Sequence, residues 1–266
     1  LDHVALLGDS LEAIAEQKAG IIKQGVPLVT GHIVPEALSV IDRIAKAKQA
    51  SRLAYGEDYQ VSHHESVETG EIFDYSSSVR QGRFQTGLLG LHQIENAGMA
   101  LALLDSHCKE TGQKLPDNAL VAQALEETSW PGRLEVIYRE PLMILDGAHN
   151  PHAIKALLAT LKERFTDYQK EILFTCIKTK AFEDMLDLLE TLSNTKITLT
   201  YFEDSRATDE KVLKEMADSR NLNYQSWQEF LDKKLSENEE KKTVRIITGS
   251  LYFLAQVRTY LMERKN

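Results

Sequence analysis

The run Leu145-Asp146-Gly147-Ala148-His149-Asn150-Pro151 constrains the fold more than any other stretch of this chain. The apolar segment from Pro141 to Leu145 reads as a strand that ends in an acid, a glycine and a histidine. The Asn-Pro pair then starts a helix. Asn150 accepts from an unpaired helix N–H as N-cap, and Pro151 occupies the first helical position, where no N–H is needed. Ile154, Leu157, Leu158, Leu161 and Phe165 follow at helical spacing and form one apolar face. Asp146 and His149 therefore lie at the carboxyl end of a strand, where open α/β sheets bind ligands. Bracing of the turn by the same two side chains is the competing reading.

Strands and helices alternate along almost the whole chain, the pattern of an α/β protein with a largely parallel sheet. In the first half, Asp9 to Ile22 reads as a helix with Asp9 and Glu12 at capping-box spacing. Val26 to Thr30 reads as a short strand and Pro35 to Ala47 as a helix. Between Arg52 and Gly87, strand-like pieces at 53–55, 59–62, 72–75 and 83–85 read as an antiparallel insert or a sheet edge. Leu91 to Asp105 and Leu120 to Glu127 read as helices. Trp130-Pro131-Gly132 then punctuates the chain, which predicts domains at 1–131 and 132–266. The second alternates strands near 134–138, 142–145, 171–176, 197–202 and 243–248 with helices. It is Rossmann-like without the G-x-G-x-x-G fingerprint of a dinucleotide site. The chain opens Leu1-Asp2-His3-Val4 without Met, and reads as beginning inside a domain.

Bulk composition excludes several classes. The formal net charge is −9 with no long basic run, which argues against nucleic-acid binding. No apolar run reaches membrane-spanning length. Two cysteines, Cys108 and Cys176, give neither a disulfide framework nor metal-ligand spacing, and fit a reducing, cytoplasmic setting.

Several single residues stand out. Lys18 falls on the apolar stripe of Leu11, Ile14, Ala15 and Ile22, so it is expected to face inward and to snorkel, pair or be chemically modified. His3 is either a partly buried structural histidine or a ligand. Asn96 is a poor helix-interior residue and predicts a polar contact. Arg133 follows the Trp-Pro-Gly joint and offers a rigid fork for phosphate or for an interdomain salt bridge. Ser250 either caps the last helix or receives a ligand carboxylate at its N-terminus.

Taken together these motifs resemble the folylpolyglutamate synthases and bifunctional dihydrofolate synthase/folylpolyglutamate synthases of the Mur ligase superfamily. Asp2-His3-Val4-Ala5-Leu6-Leu7-Gly8 is similar to the family's D-H-x-x-x-L-G, and Lys18-Ala19-Gly20-Ile21-Ile22-Lys23 to its K-A-G-I-I-K. Gly90-Leu91-His92-Gln93-Ile94-Glu95-Asn96-Ala97 resembles G-x-H-Q-x-x-N-A. Trp130-Pro131-Gly132-Arg133-Leu134-Glu135, the 145–151 run and Thr248-Gly249-Ser250-Leu251-Tyr252-Phe253 resemble its joint, second-domain and C-terminal signatures.

The resemblance implies the remainder of a P-loop-type ATPase domain followed by a Rossmann-like Mur ligase C-terminal domain. It implies an ATP- and magnesium-dependent amide ligase, a cytoplasmic monomer that joins L-glutamate to folate or dihydropteroate through an acyl phosphate. By position, His3 would be a metal ligand and Lys18 a carbamylated catalytic lysine. Asn96, Arg133 and Asp146 would contact ATP, and His149 and Ser250 the glutamate. The 266 residues contain no G-x-x-x-x-G-K-S/T loop, so this chain alone is expected not to turn over. Thr179 stands where the family usually carries Asp, a separate departure that bears on its own loop. A Mur-type ligase for cell-wall precursors and a non-catalytic Rossmann-like binding module are the alternatives.

Overall fold

A computed structural model describes residues 10–178, 181–236 and 242–264. The chain divides between Thr128 and Ser129 into two compact units. In the first, helix α1 (Leu11–Ala19) precedes strand β1 (Leu28–Thr30), helix α2 (Pro35–Ala47) and strand β2 (Arg52–Ala54). Strands β3 (Tyr59–Val67), β4 (Gly70–Ser77) and β5 (Gln81–Thr86) follow, then helices α3 (His92–Thr111) and α4 (Asn118–Glu126).

Strand β2 pairs in parallel with β1. It is therefore not part of the antiparallel insert, as its sequence neighbours suggested. The insert itself is the β3-β4-β5 meander. Its buried aromatics Tyr59, Phe73, Tyr75 and Phe84 pack on Ile94 and Leu101 of α3 and Val121 of α4. Gly98 lets α3 approach β3, since a Cβ there would fall 2.4 Å from Val61 Cγ1.

Helix α1 is capped by Ser10, whose side chain accepts from the Ala13 N–H, where the sequence suggested a cap one residue earlier. Asp9, His3 and Thr179 lie outside the described residues. The helix ends at Ala19, earlier than its sequence suggested. Its buried residues are Ala15 and Ala19, one turn apart, and Ile22 reaches the core from the following turn. Lys18 is exposed and not inward-facing. The buried face is set by Ala15 and Ala19, and Leu11, which shared the expected stripe with Lys18, is itself exposed.

The second unit holds strands β6 (Glu135–Arg139) and β7 (Leu142–Asp146), helix α5 (Pro151–Arg164), strand β8 (Gln169–Phe174), helix α6 (Phe182–Glu190) and strand β9 (Thr195–Leu199). Helix α7 (Glu210–Arg220), the two-residue strand β10 (Asn223–Tyr224), helix α8 (Trp227–Ser236), strand β11 (Thr243–Thr248) and helix α9 (Leu251–Glu263) complete it. The sheet order is β10-β9-β8-β11-β7-β6. All neighbours are parallel except β6, which pairs antiparallel with β7.

Every residue of β11 is buried, as expected of a central parallel strand. Met143, Leu145, Leu173 and Ile247 share one face with Trp227, Phe230 and Leu231 of α8 and Phe253, Leu254 and Val257 of α9. Strand alternation sends Ile144, Ile172, Phe174 and Ile246 to the other face. There the Phe174 ring meets Phe182 of α6 at 5.3 Å, and α5 packs on α6. The helices that follow adjacent strands β8 and β11 thus leave on opposite faces. Such a divergence is where open α/β sheets form their ligand crevice, and here it falls at the carboxyl ends of β7, β11 and β8.

Candidate functional site

Three strand ends meet at this crevice. Thr248, the last residue of β11, is in register with Asp146 of β7 on one side and Phe174 of β8 on the other. Beyond them run Gly147-Ala148-His149, Gly249-Ser250 and Thr175-Cys176. Gly249 adopts a φ of +113°, and a Cβ there would lie 1.9 Å from the Thr175 carbonyl oxygen. Glycine is what lets the β11 and β8 exits pass each other. The Thr248 hydroxyl donates to the Ala148 carbonyl at 3.3 Å and ties the first loop to the second.

Asp146 is 9% exposed, and both its carboxylate oxygens are engaged. Oδ1 accepts from the Ala148 N–H at 3.0 Å and Oδ2 from the Leu134 N–H at 3.0 Å. It therefore braces its own turn, and it also reaches back to the segment after Trp130-Pro131. Gly147 N–H donates to the Gly132 carbonyl at 2.7 Å, a second tie between the same two loops. Gly132 (φ +71°) and Leu134 (φ +48°) both take left-handed backbone, on either side of Arg133. For a branched residue such as Leu134 this conformation costs about 1–2 kcal/mol. It persists because the carboxylate holds the Leu134 N–H. The result is an exposed Arg133 carried on a fixed turn.

His149 is partly buried, with Nδ1 2.7 Å from the Gly147 carbonyl. A carbonyl only accepts, so the proton sits on Nδ1 and the neutral ring keeps its lone pair on Nε2. Asn150 caps α5 through the Ala153 N–H at 2.8 Å, with Pro151 behind it, as the sequence required. Ser250 is 3% exposed and is the N-cap residue of α9, but its side chain makes no capping hydrogen bond. It thus holds the cap position that the sequence suggested, in the extended backbone usual there, but its hydroxyl is not spent on the first turn. Cys176 is fully buried, and burial pushes its thiol up to about 12, opposed by a hydrogen bond from Thr208.

At the first turn of α9 the Arg206 guanidinium lies 3.6 Å over the Tyr252 ring. It is gripped by Asp204 through Nε at 2.8 Å and a terminal nitrogen at 2.7 Å. That grip holds the Asp204 carboxyl down at about 2. Sequence reading passed over this pair and the Leu134 conformation. Asp-x-Arg within a loop was the available signal for the first; nothing local announces the second.

The remaining candidates lie in the first unit. Asn96 is exposed near the start of α3 and donates to Gln93 Oε1 at 2.9 Å, the polar contact its position predicted. Lys18 sits at the end of α1. The structure thus groups Arg133, Asp146, His149 and Ser250 within one unit, and Asn96 and Lys18 within the other. Among the described residues no group of three His, Cys, Asp or Glu side chains could hold a metal ion. No helix among them is long and apolar enough to cross a membrane.

Residues 132–251 match the model of the Mur ligase, glutamate ligase domain. The dihydrofolate synthase/folylpolyglutamate synthase of Bacillus subtilis is 34% identical over 264 residues, 98% of this chain and 60% of that protein. The folylpolyglutamate synthase of Lacticaseibacillus casei is 33% identical over 270 residues, 100% of this chain and 61% of that protein. The solved apo form of L. casei FPGS superposes with a TM-score of 0.82 at 31% identity, covering 98% of this chain and 59% of that one. An FPGS complex with AMPPCP and folate gives 0.80 at 32%, with the same coverage. The chain spans about 60% of the length of the curated relatives it matches.

Proposed function

Because the chain belongs to the folylpolyglutamate and dihydrofolate synthase family of Mur ligases, we propose that it is part of an ATP-dependent amide ligase. In this reading the γ-phosphate of ATP passes to a folate or dihydropteroate carboxylate, giving an acyl phosphate and ADP. The amine of L-glutamate then attacks the acyl carbon, phosphate leaves, and an amide remains. The domain assignment 1–131 and 132–266, the monomeric state and the cytoplasmic setting without nucleic acid or membrane belong to the same proposal.

The roles are those that the resemblance implies. Arg133 directs donors toward the phosphates, where charge is transferred. Asp146 orients the turn that bears Arg133, and the resemblance assigns it to the ribose side of the nucleotide. Asn96 supplies a further nucleotide contact from the first unit. His149, with its proton fixed on Nδ1, offers Nε2 as acceptor to a hydrogen of the glutamate amine. Ser250 offers its hydroxyl to a glutamate carboxylate at the α9 N-terminus. Lys18, exposed, is open to reaction with carbon dioxide. Magnesium would offset phosphate charge, but its expected ligand His3 lies outside the described residues and no described cluster fits it. No step is derived through it.

The observation that carries this reading is the Asp146–Leu134 hydrogen bond, which fixes Arg133 beside the carboxyl ends of β7 and β11. The test couples labelled L-glutamate to tetrahydrofolate or dihydropteroate with ATP and magnesium. These 266 residues alone are expected to give no product. Joined to the part of the Bacillus subtilis relative that they do not match, they are expected to give ATP-dependent product, abolished by Asp146→Ala. No product from the joined protein with either acceptor would refute the proposal.

A further inference from the structure

Glu135 carries an arrangement that the roles above do not use. Its Oε2 accepts from the Gly132 N–H at 2.9 Å, and its Oε1 accepts from Arg258 Nε on α9 at 2.9 Å. The carboxylate is largely buried, with 18% of the side chain exposed. Around Arg133 the backbone is therefore held at four points. Gly132 N–H goes to Glu135, Gly132 carbonyl to Gly147, Leu134 N–H to Asp146, and Arg133 N–H to the Trp130 carbonyl at 3.2 Å. Three of these come from the loop itself or from β7. Of these four, the Glu135 contact is the one that continues by a hydrogen bond to the last helix, through Arg258.

We infer that Glu135 is a positioning residue for Arg133, anchored by Arg258, and that it sets the approach of the guanidinium to a nucleotide's phosphates. The inference rests on the reading of Arg133 as a phosphate contact. Left-handed backbone at Leu134 needs external hold to persist, whereas Gly132 adopts it freely. Asp146 supplies that hold after Arg133, and Glu135 fixes the position of the Gly132 N–H before it. Releasing the Gly132 N–H frees the turn to relax and swings Arg133 away, while Asp146 and the ribose side stay in place.

The test measures ADP and adenosine affinity by calorimetry on the 266-residue chain, for the unsubstituted protein and for Arg133→Ala, Glu135→Ala, Glu135→Asp and the Arg133→Ala/Glu135→Ala double variant. Arg133→Ala is expected to weaken ADP about ten-fold and to leave adenosine within about two-fold. Glu135→Ala and Glu135→Asp, whose shortened acid cannot reach Gly132, are expected to weaken ADP about five-fold or more with adenosine unchanged. The double variant should be no weaker than Arg133→Ala alone. Equal losses for ADP and adenosine, additive losses in the double variant, or unchanged ADP affinity in both Glu135 variants would overturn the inference. If Arg133→Ala itself leaves ADP binding unchanged, or the unsubstituted chain binds no ADP, the reading of Arg133 fails first and takes this one with it.

Discussion

The Asp146 carboxylate receives the Leu134 N–H at 3.0 Å across twelve residues, joining the loop after β7 to the turn before β6. Asp146→Ala removes the acceptor for two backbone N–H groups at once. A buried donor left unsatisfied costs about 1–3 kcal/mol, so the variant is expected to lose about 2–4 kcal/mol in urea unfolding. Asp146→Asn keeps one carbonyl acceptor and should lose about half as much.

Two glycines at the crevice differ in what surrounds them. At Gly147 a Cβ would meet Leu251 Cδ2 at 2.4 Å, the far end of a side chain that can turn aside. At Gly249 it would meet the Thr175 carbonyl oxygen at 1.9 Å, in a backbone conformation that side chains rarely adopt. Gly249→Ala is therefore expected to cost about 4 kcal/mol or more, and Gly147→Ala about 1–2 kcal/mol. Comparable thermal shifts for the two would contradict this.

In the first unit, Arg80 and Asp105 form a pair buried to 6% and 5% exposure. Arg80 donates from Nε and a terminal nitrogen to the carboxylate, and also to Asn118 Oδ1 and the Pro116 carbonyl. This pins the β4–β5 turn to α3 and to the start of α4. Arg80→Met strands a buried carboxylate and is expected to cost about 3–5 kcal/mol. Adding Asp105→Leu should restore much of the loss, as seen in unfolding midpoints.

Alkaline pH should weaken both units. The Cys176 thiol rises from 9.0 to about 12 and the Tyr59 hydroxyl from 10.0 to about 12, each chiefly through burial. Raised acids favour the folded state fully below their unfolded values, and that contribution is lost as pH climbs through the folded ones. Stability is expected to fall by about 1.4 kcal/mol per pH unit for each group, above about pH 9 for Cys176 and pH 10 for Tyr59. Cys176→Ala should flatten the slope between them; an unchanged slope contradicts the assignment.

Much of the second unit was legible because its signals are local and agree with one another. Asn150-Pro151 marked the start of α5, and Ile154, Leu157, Leu158 and Leu161 are its buried face. Strand β11 follows its apolar run from Thr243 to Thr248. The misreadings depended on which side of a helix packs or which strand is the neighbour. Lys18 shared its expected stripe with Leu11, which is itself exposed, and β2 was grouped with strands near it in sequence. Ser250 has the right type and place for a cap, yet side-chain rotamers are set by packing. The tie between Asp146 and Leu134 joins segments twelve residues apart, and no spacing rule encodes it.

In the proposed function, the turn bearing Arg133 and the ends of β7 and β11 form one nucleotide-binding crevice. Backbone amide NMR of the chain titrated with AMPPCP tests it most directly. Saturable shifts at Arg133, Leu134, Gly147, Ala148 and Ser250, absent in Arg133→Ala, are the predicted result. Shifts confined to residues away from these strand ends, or none at millimolar nucleotide, would contradict it.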